Sequence, residues 1–189
     1  MKIRYNSPVT LTFALGCLAI LIADQFTSSS FSNSYFTVFA DFDSGSFWSY
    51  FRLISHIMGH ANWAHLVGNM TFILLLGPIL EEKYGSIELL EMIVVTGLIT
   101  GILNVVFLPT GLKGASGIVF MMILLSSITN IKSREVPLTF ILIAGLYLTR
   151  EISAAFANDS ISQFAHIIGG LCGGLFGFSY ATVKKRKAS

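Results

Sequence analysis

The sequence alternates between long apolar stretches and short polar connections, and the apolar stretches are long enough to cross a lipid bilayer. Six of them approach the roughly 20 residues that a spanning helix needs. We place them at about residues 8–27, 62–80, 88–108, 116–131, 136–156 and 163–183. The fourth is shorter than the others, which indicates a helix that begins partway into the bilayer. Such a start is tolerated only where the preceding backbone is buried in protein or lines a wet cavity.

Composition supports a membrane protein and excludes a soluble globular one. The chain of 189 residues is 53% hydrophobic and 12% charged, with a mean hydropathy of +0.73, whereas soluble domains carry about 25% charged residues. The fold class predicted is therefore an all-α polytopic membrane protein. Its length suits one compact bundle, so we expect a single domain over residues 1–189. The basic residues are scattered at segment ends, which does not indicate a nucleic-acid partner.

The positions of the basic residues predict how the helices cross the membrane. If the N-terminus is cytoplasmic, nine of the twelve Lys and Arg residues fall at cytoplasmic ends, and only Arg52, Lys113 and Arg150 fall on the opposite side. Both termini are therefore expected to be cytoplasmic. The first segment follows Lys2 and Arg4 as a signal peptide would. However, its apolar stretch is long and no clear small-x-small cleavage site follows, so we expect a retained helix.

The connection between the first two segments, residues 28–61, is long and crowded with aromatic residues. Such a composition is typical of an element that lies in the lipid headgroup layer. A packed lid with a purely structural role would explain the same residues, and the sequence leaves both interpretations open. The aromatic residues are Phe31, Tyr35, Phe36, Phe39, Phe42, Phe47, Trp48, Tyr50 and Phe51.

All the histidines of this chain lie in or beside apolar segments, where ionisable residues are functional hypotheses by default. They are His56, His60, His65 and His166. His65 and Asn69 are four residues apart and project from one helix face. A metal site is one explanation, but no HExxH motif, cysteine partner or suitably spaced carboxylate accompanies the histidines, so we predict no metal. A structural hydrogen-bonded network is the second. In the third, His65 and Asn69 donate hydrogen bonds to a developing oxyanion.

A nucleophile for that third explanation is available in Gly114-Ala115-Ser116-Gly117. Ser116 falls in the predicted first turn of the fourth helix, where a serine is an N-cap, a nucleophile or both. The flanking glycines remove side chains from both sides, which would let a substrate backbone approach. Because the first amides of a helix have no partner within it, the Ser116 amide can also donate to an oxyanion.

A base is available in His166, which precedes a run of glycines in the sixth segment. Gly169 and Gly173 form a small-xxx-small face that allows this helix to approach the fourth closely. That approach would bring the imidazole within reach of the Ser116 hydroxyl. No Asp or Glu lies at an evident spacing to orient His166, so the sequence favours a Ser–His dyad over a triad.

These three motifs resemble those of bacterial rhomboid intramembrane serine proteases of the minimal six-helix type. The family's H-x3-H-x4-H-x3-N, G-x-S-G and A-H-x2-G-x3-G elements match residues 56–69, 114–117 and 165–173, respectively. The three elements occur in the family's order along the chain. The resemblance implies a six-helix rhomboid-like bundle with a long membrane-interfacial first loop. It also implies that Ser116 is the nucleophile, that His166 is the general base, and that His65, Asn69 and the Ser116 amide form the oxyanion hole.

The resemblance also identifies supporting residues and departures. Arg52 falls at the arginine of the family's Trp-Arg pair, with Phe51 in place of the tryptophan. Glu82 falls at a helix-capping acidic position, and His60 falls at the middle histidine. Phe120 stands where many members have a tyrosine that stacks on the catalytic histidine. Its ring can still stack, but the hydroxyl is absent.

The function implied is cleavage of transmembrane segments near the extracytoplasmic side of the bacterial inner membrane. The expected partners are transmembrane protein substrates and the lipid bilayer, and no cofactor or metal is expected. The alternative is a catalytically silent rhomboid-like protein that binds transmembrane clients. The presence of Ser116, His166 and Asn69 argues against that alternative.

Overall fold

The computed structural model describes residues 4–27, 30–129 and 167–176, together with the isolated positions Leu138, Ile141, Leu142, Gly145, Leu146 and Thr149. This part of the chain is mostly helical, which confirms the predicted all-α class. A 3₁₀ turn, His56–Met58, follows the third helix. The α-helices that can be followed are α1 (Pro8–Gln25), α2 (Ser30–Tyr35), α3 (Phe47–Ser55), α4 (Trp63–Tyr84), α5 (Ser86–Phe107), α6 (Ser116–Thr129) and α7 (Ile167–Phe176).

Three of the described helices, α1, α4 and α5, are long and apolar enough to cross a membrane. They correspond to the first three predicted segments, and the protein is an integral membrane protein. The described part of α6 begins at Ser116, the predicted start of the fourth segment. Of the predicted sixth segment the structure describes α7. The predicted fifth segment, apart from the isolated positions, lies outside the described residues.

The second predicted segment, placed at about residues 62–80, corresponds to α4, which continues to Tyr84. Hydropathy falls at Glu81, but this carboxylate is buried against the start of α1 instead of facing lipid. It accepts hydrogen bonds from the amides of Val9 (2.9 Å) and Thr10 (3.0 Å). The Thr10 and Ser86 hydroxyls donate to it as well, at 2.7 and 2.8 Å. Glu81 therefore satisfies the unpaired first amides of α1.

The prediction that Glu82 is the capping acidic residue is wrong. Glu82 is exposed, whereas Glu81 is 5% exposed and caps α1. Adjacent helix positions differ by about 100° in direction, so only one of the two carboxylates can face α1. Gly85, with φ of +104°, then ends α4 and lets α5 begin at Ser86 instead of residue 88.

Close helix packing at glycines holds the first loop against α5. A Cβ atom at Gly97 would lie 3.1 Å from Ile57, and one at Gly101 would collide with the backbone carbonyl of Leu53. These two glycines are four residues apart and form one face of α5. The end of α3 and the 3₁₀ turn are thereby seated on α5.

The same packing principle joins α7 to α6. A Cβ atom at Gly169 would collide with the carbonyl oxygen of Gly117, and one at Gly173 with that of Met121. The close approach predicted from the glycine spacing is therefore present. It lies at the first turn of α6, directly after Ser116.

The two ends of α4 place the start of α1 and the loop before Ser116 (residues 108–115, the serine loop) at opposite ends of the bundle. Glu81 contacts the start of α1, and His65 lies against Gly114. Glu81 and His65 are sixteen positions apart along α4, which corresponds to about 24 Å at 1.5 Å per residue. The N-terminus of α1 and Ser116 therefore lie near opposite faces of the bundle.

Candidate active site

Ser116 is the first residue of α6, and its side chain is 7% exposed. The first helical hydrogen bond, from the Val119 amide, is accepted by the Ala115 carbonyl at 2.9 Å. Ala115 thus occupies the N-cap position, and the interpretation of Ser116 as an N-cap is wrong. The hydroxyl is not engaged in capping, and the Ser116 amide is among the first amides, which have no helical partner.

The glycine before this turn is required by its backbone and by its neighbour. Gly114 has a φ of +133°, which L side chains rarely adopt. A Cβ atom there would lie 2.6 Å from Cε1 and 2.8 Å from Nε2 of His65. The His65 ring therefore occupies the space on the Cβ side of Gly114, and the approach of a substrate backbone at Gly114 and Gly117 stays a prediction. The structure thus places His65 against Gly114, which is two positions before Ser116 in the chain.

His56 connects the serine loop to α5. Its backbone carbonyl accepts the Gly114 amide at 2.9 Å. Its ring is buried, and Nε2 lies 3.0 Å from the Gly97 carbonyl. Burial lowers the pKa of His56 to about 4, so the ring is neutral at pH 7. The neutral His56 ring, hydrogen-bonded to Gly97 of α5, holds the 3₁₀ turn in place. The backbone carbonyl of His56 in turn holds Gly114.

His65 and Asn69 occupy the predicted common face at the start of α4. Asn62 caps this helix by accepting the His65 amide at 2.9 Å. Asn69 is buried, and its Nδ2 lies 3.1 Å from Nε2 of His60. The rings of His60 and His65 meet edge to face, with centroids 5.1 Å apart. His60, His65 and Asn69 thus form one connected group of side chains.

The first loop supports the serine loop directly. Val38 and Leu112 exchange both backbone hydrogen bonds, at 2.8 and 3.0 Å. Lys113 donates to Asn33 Oδ1 at 3.0 Å. Arg52 donates to the Ser34 carbonyl at 3.1 Å and so holds the loop to α3. The segment before Ser116 is therefore built partly from the first loop.

Aromatic residues of that loop fall into contacting pairs with exposed outer faces. Tyr35 and Trp48 meet edge to face at 4.7 Å, and Phe36 meets Phe51 at 6.1 Å. Phe47 and Trp48 are 71% and 46% exposed. The loop is thus packed on its inner side and apolar on its outer side, which combines features of both interpretations left open by the sequence.

His166, the predicted base, lies outside the described residues. Its chain neighbour Ile167 begins α7, whose Gly169 packs on Gly117. Phe120 is partly buried, and a Cβ atom at Gly170 would lie 3.1 Å from its Cδ1. Among the described residues no group of three His, Cys, Asp or Glu side chains could hold a metal ion.

Sequence reasoning missed several residues that shape the site. Asn62 had a readable signal, since an Asn directly before an apolar run is a typical N-cap. Asn104 is a polar residue inside an apolar segment, and its amide donates to the Thr110 carbonyl at 3.0 Å. The bridge between Val38 and Leu112 had no signal, because it depends on backbone groups from distant parts of the chain.

Comparison with known proteins finds one family model that matches this chain and several proteins that are similar to it. The family model described as Rhomboid domain matches residues 47–183, a range that contains every predicted site residue. Rhomboid protease GlpG of Haemophilus influenzae is 27% identical over 184 residues, which are 94% of this chain and 93% of that protein. Rhomboid-like protein 11, chloroplastic, of Arabidopsis thaliana is 24% identical over 68% of this chain and 51% of its own length. Rhomboid protease GluP of Bacillus subtilis is 31% identical over 70% of this chain and 25% of its own.

Proposed function

The chain belongs to the rhomboid family, and from that premise and the geometry of the site we propose that it is an intramembrane serine endopeptidase. Its substrates would be transmembrane segments of other membrane proteins. The reaction would use a dyad of Ser116 and His166. Two of the relatives described above are named as rhomboid proteases, which supports the activity.

One observation carries the proposal: the segment around Ser116 is contacted from two sides, by the start of α4 and by α7. On one side His65 covers Gly114, two residues before Ser116. On the other side Gly169 lies against the carbonyl of Gly117, one residue after Ser116. Gly169 is three residues from His166 in the chain, which supports His166 as the base for the Ser116 hydroxyl.

The chemistry follows from these positions. The Ser116 oxygen attacks the carbonyl carbon of the scissile peptide while His166 takes the hydroxyl proton. His65, Asn69 and the Ser116 amide donate to the oxyanion, and loss of one such donor typically costs about 10²–10³ in rate. His166 then protonates the leaving amine. Water hydrolyses the remaining acyl ester and regenerates the serine.

The two ends of α4 support an assignment of the membrane side on which cleavage would take place. Ser116 lies near the face opposite the N-terminus of α1, about 24 Å away along the helix. The excess of basic residues supports cytoplasmic termini in a bacterial inner membrane. Cleavage would therefore take place near the extracytoplasmic side, with the exposed aromatic residues of α3 in the headgroup layer.

Labelling with a fluorophosphonate tests the proposal, because this reagent reacts with activated serines. We expect the purified protein to be labelled, and Ser116→Ala and His166→Ala each to abolish labelling. Ser126→Ala is the matched control, since the Ser126 hydroxyl donates to the Met122 carbonyl at 2.7 Å and lies farther along α6. Equal labelling of wild type and Ser116→Ala would contradict the proposal. A protein that is never labelled but binds transmembrane segments would support the catalytically silent alternative.

A further inference from the structure

A buried pair of polar side chains, His60 and Asn69, lies beside the site with a geometry that fixes the direction of each hydrogen bond. The His60 side chain is 1% exposed and the Asn69 side chain 3%. His60 Nδ1 lies 3.2 Å from the Met58 carbonyl oxygen, and His60 Nε2 lies 3.1 Å from Asn69 Nδ2. Both ring nitrogens of His60 are therefore engaged within the protein.

The partners determine which nitrogen carries the proton. A carbonyl oxygen only accepts, so Nδ1 of His60 must donate to Met58. Nε2 of the neutral ring then has a lone pair, and it accepts from the Asn69 amide nitrogen. The opposite amide orientation would place Oδ1 of Asn69 against that lone pair, which is repulsive. One rotamer of the Asn69 amide is thereby selected.

We propose that His60 is a positioning residue for the reaction: it accepts one N–H of the Asn69 amide and leaves the other N–H as an oxyanion donor. This inference rests on the proposed function, in which Asn69 contributes to the oxyanion hole. A donor fixed before the reaction stabilises the transition state more than one that must reorient.

The support behind His60 is rigid, as positioning requires. Met58, whose carbonyl accepts from His60, belongs to the 3₁₀ turn that begins at His56. The His56 ring bonds to Gly97 of α5, and the Met58 Cε packs into the space at Gly16 of α1. The orientation of Asn69 is thus transmitted from α1 and α5 through this turn.

Two substitutions separate the contacts of His60. In His60→Gln the amide oxygen can take the place of Nε2 and accept from Asn69. In His60→Asn the shorter amide can take the place of Nδ1 and donate to Met58, but nothing accepts from Asn69. Cleavage of a single-span substrate in liposomes is measured for both variants, for His60→Ala, for Asn69→Ala and for His60→Ala/Asn69→Ala.

We expect kcat to fall about 10²-fold in Asn69→Ala, and about tenfold to 10²-fold in His60→Ala and His60→Asn, with KM unchanged. His60→Gln should retain kcat within about threefold, which is under 1 kcal/mol. The double variant should be no slower than Asn69→Ala, because His60 acts only through Asn69. Additive losses, or equal losses in the Gln and Asn variants, would overturn the proposal.

A second measurement does not depend on activity. The ¹⁵N shifts of the His60 ring, assigned by their loss in His60→Gln, should show a proton on Nδ1 and a hydrogen-bonded Nε2 at pH 7. Asn69→Ala should remove the hydrogen-bonded shift of Nε2. If the chain proves not to be a protease, this result still decides whether His60 orients Asn69. A proton on Nε2, or no change in Asn69→Ala, would overturn the inference by itself.

Discussion

The imidazole of His65 fills the space where a side chain at residue 114 would otherwise lie. A Cβ atom on Gly114 would come within 2.6 Å of His65 Cε1, and the φ of +133° at Gly114 already disfavours any other residue. Gly114 therefore fixes the position of the serine loop relative to the start of α4. This contact couples the proposed nucleophile, Ser116, to a proposed oxyanion donor, His65.

Gly114→Ala is expected to abolish most activity and to destabilise the protein. The backbone conformation costs an alanine about 1–3 kcal/mol, and the methyl group displaces His65. A displacement of about 1 Å at a reacting group can cost about 10²-fold in rate. Cleavage of a single-span substrate and unfolding in mixed micelles measure the two effects.

Gly145→Ala is the matched control for that variant. Gly145 is helical, and no described atom lies within 4 Å of a Cβ placed there. An alanine in a helix is more stable than a glycine by about 0.5–1 kcal/mol. Activity should therefore be retained in Gly145→Ala, and equal losses in the two variants would contradict the role of Gly114.

Glu81 and Glu82 are expected to differ sharply although they are adjacent. Glu81→Ala leaves the Val9 and Thr10 amides without their acceptor and should lower the free energy of unfolding by about 1–3 kcal/mol. Glu82→Ala changes an exposed residue and should stay within about 0.5 kcal/mol of wild type. Steric trapping or denaturant titration in micelles compares the two. A larger loss in Glu82→Ala would show that the α1 cap is misassigned.

Gly169 and Gly170 provide a similar pair on α7. A methyl group at Gly169 meets the backbone carbonyl of Gly117, which can move only if the helices separate. One at Gly170 meets the ends of the Leu124 and Phe120 side chains, which can adjust. Gly169→Ala should thus reduce the rate of cleavage at least about tenfold more than Gly170→Ala. A larger loss of cleavage rate in Gly170→Ala than in Gly169→Ala would contradict the role of the close approach of α7 to α6 in catalysis.

The buried neutral state of His60 makes stability depend on pH. Burial and then the neighbouring His65 lower the pKa of His60 to about 3, whereas an exposed histidine titrates near pH 6.5. Between these values only the unfolded chain binds the proton. Stability should therefore fall as the pH decreases from about 6.5, by about 1.4 kcal/mol per pH unit for this residue. His60→Gln should show a shallower decline in unfolding free energy than wild type, and identical slopes would contradict the buried neutral ring.

The sequence predicts the architecture well where hydropathy or the spacing of small residues decides it. Segments α1, α4 and α5 and the glycine face of α7 follow from apolar runs and from the spacing of Gly169 and Gly173. Hydropathy fails at Glu81, because a buried carboxylate inside a helix is stabilised by amides about 70 residues away in the chain. A local pattern cannot contain such a partner.

The candidate site was predictable in its residue types but not in its connections. His65 and Asn69 share a helix face by simple periodicity. The contact of His65 with Gly114 and the bond from the Gly114 amide to the His56 carbonyl depend on how distant loops meet. The N-cap position was misassigned by one residue, because the pattern of apolar residues does not show which carbonyl accepts the first helical bond.

The most direct test of the account is cleavage by the purified protein in liposomes that contain a single-span transmembrane substrate. Wild type and Ser126→Ala should release two fragments cut near one membrane boundary, and Ser116→Ala should release none. Persistence of cleavage in Ser116→Ala at the wild-type rate would contradict the assignment of Ser116 as the nucleophile.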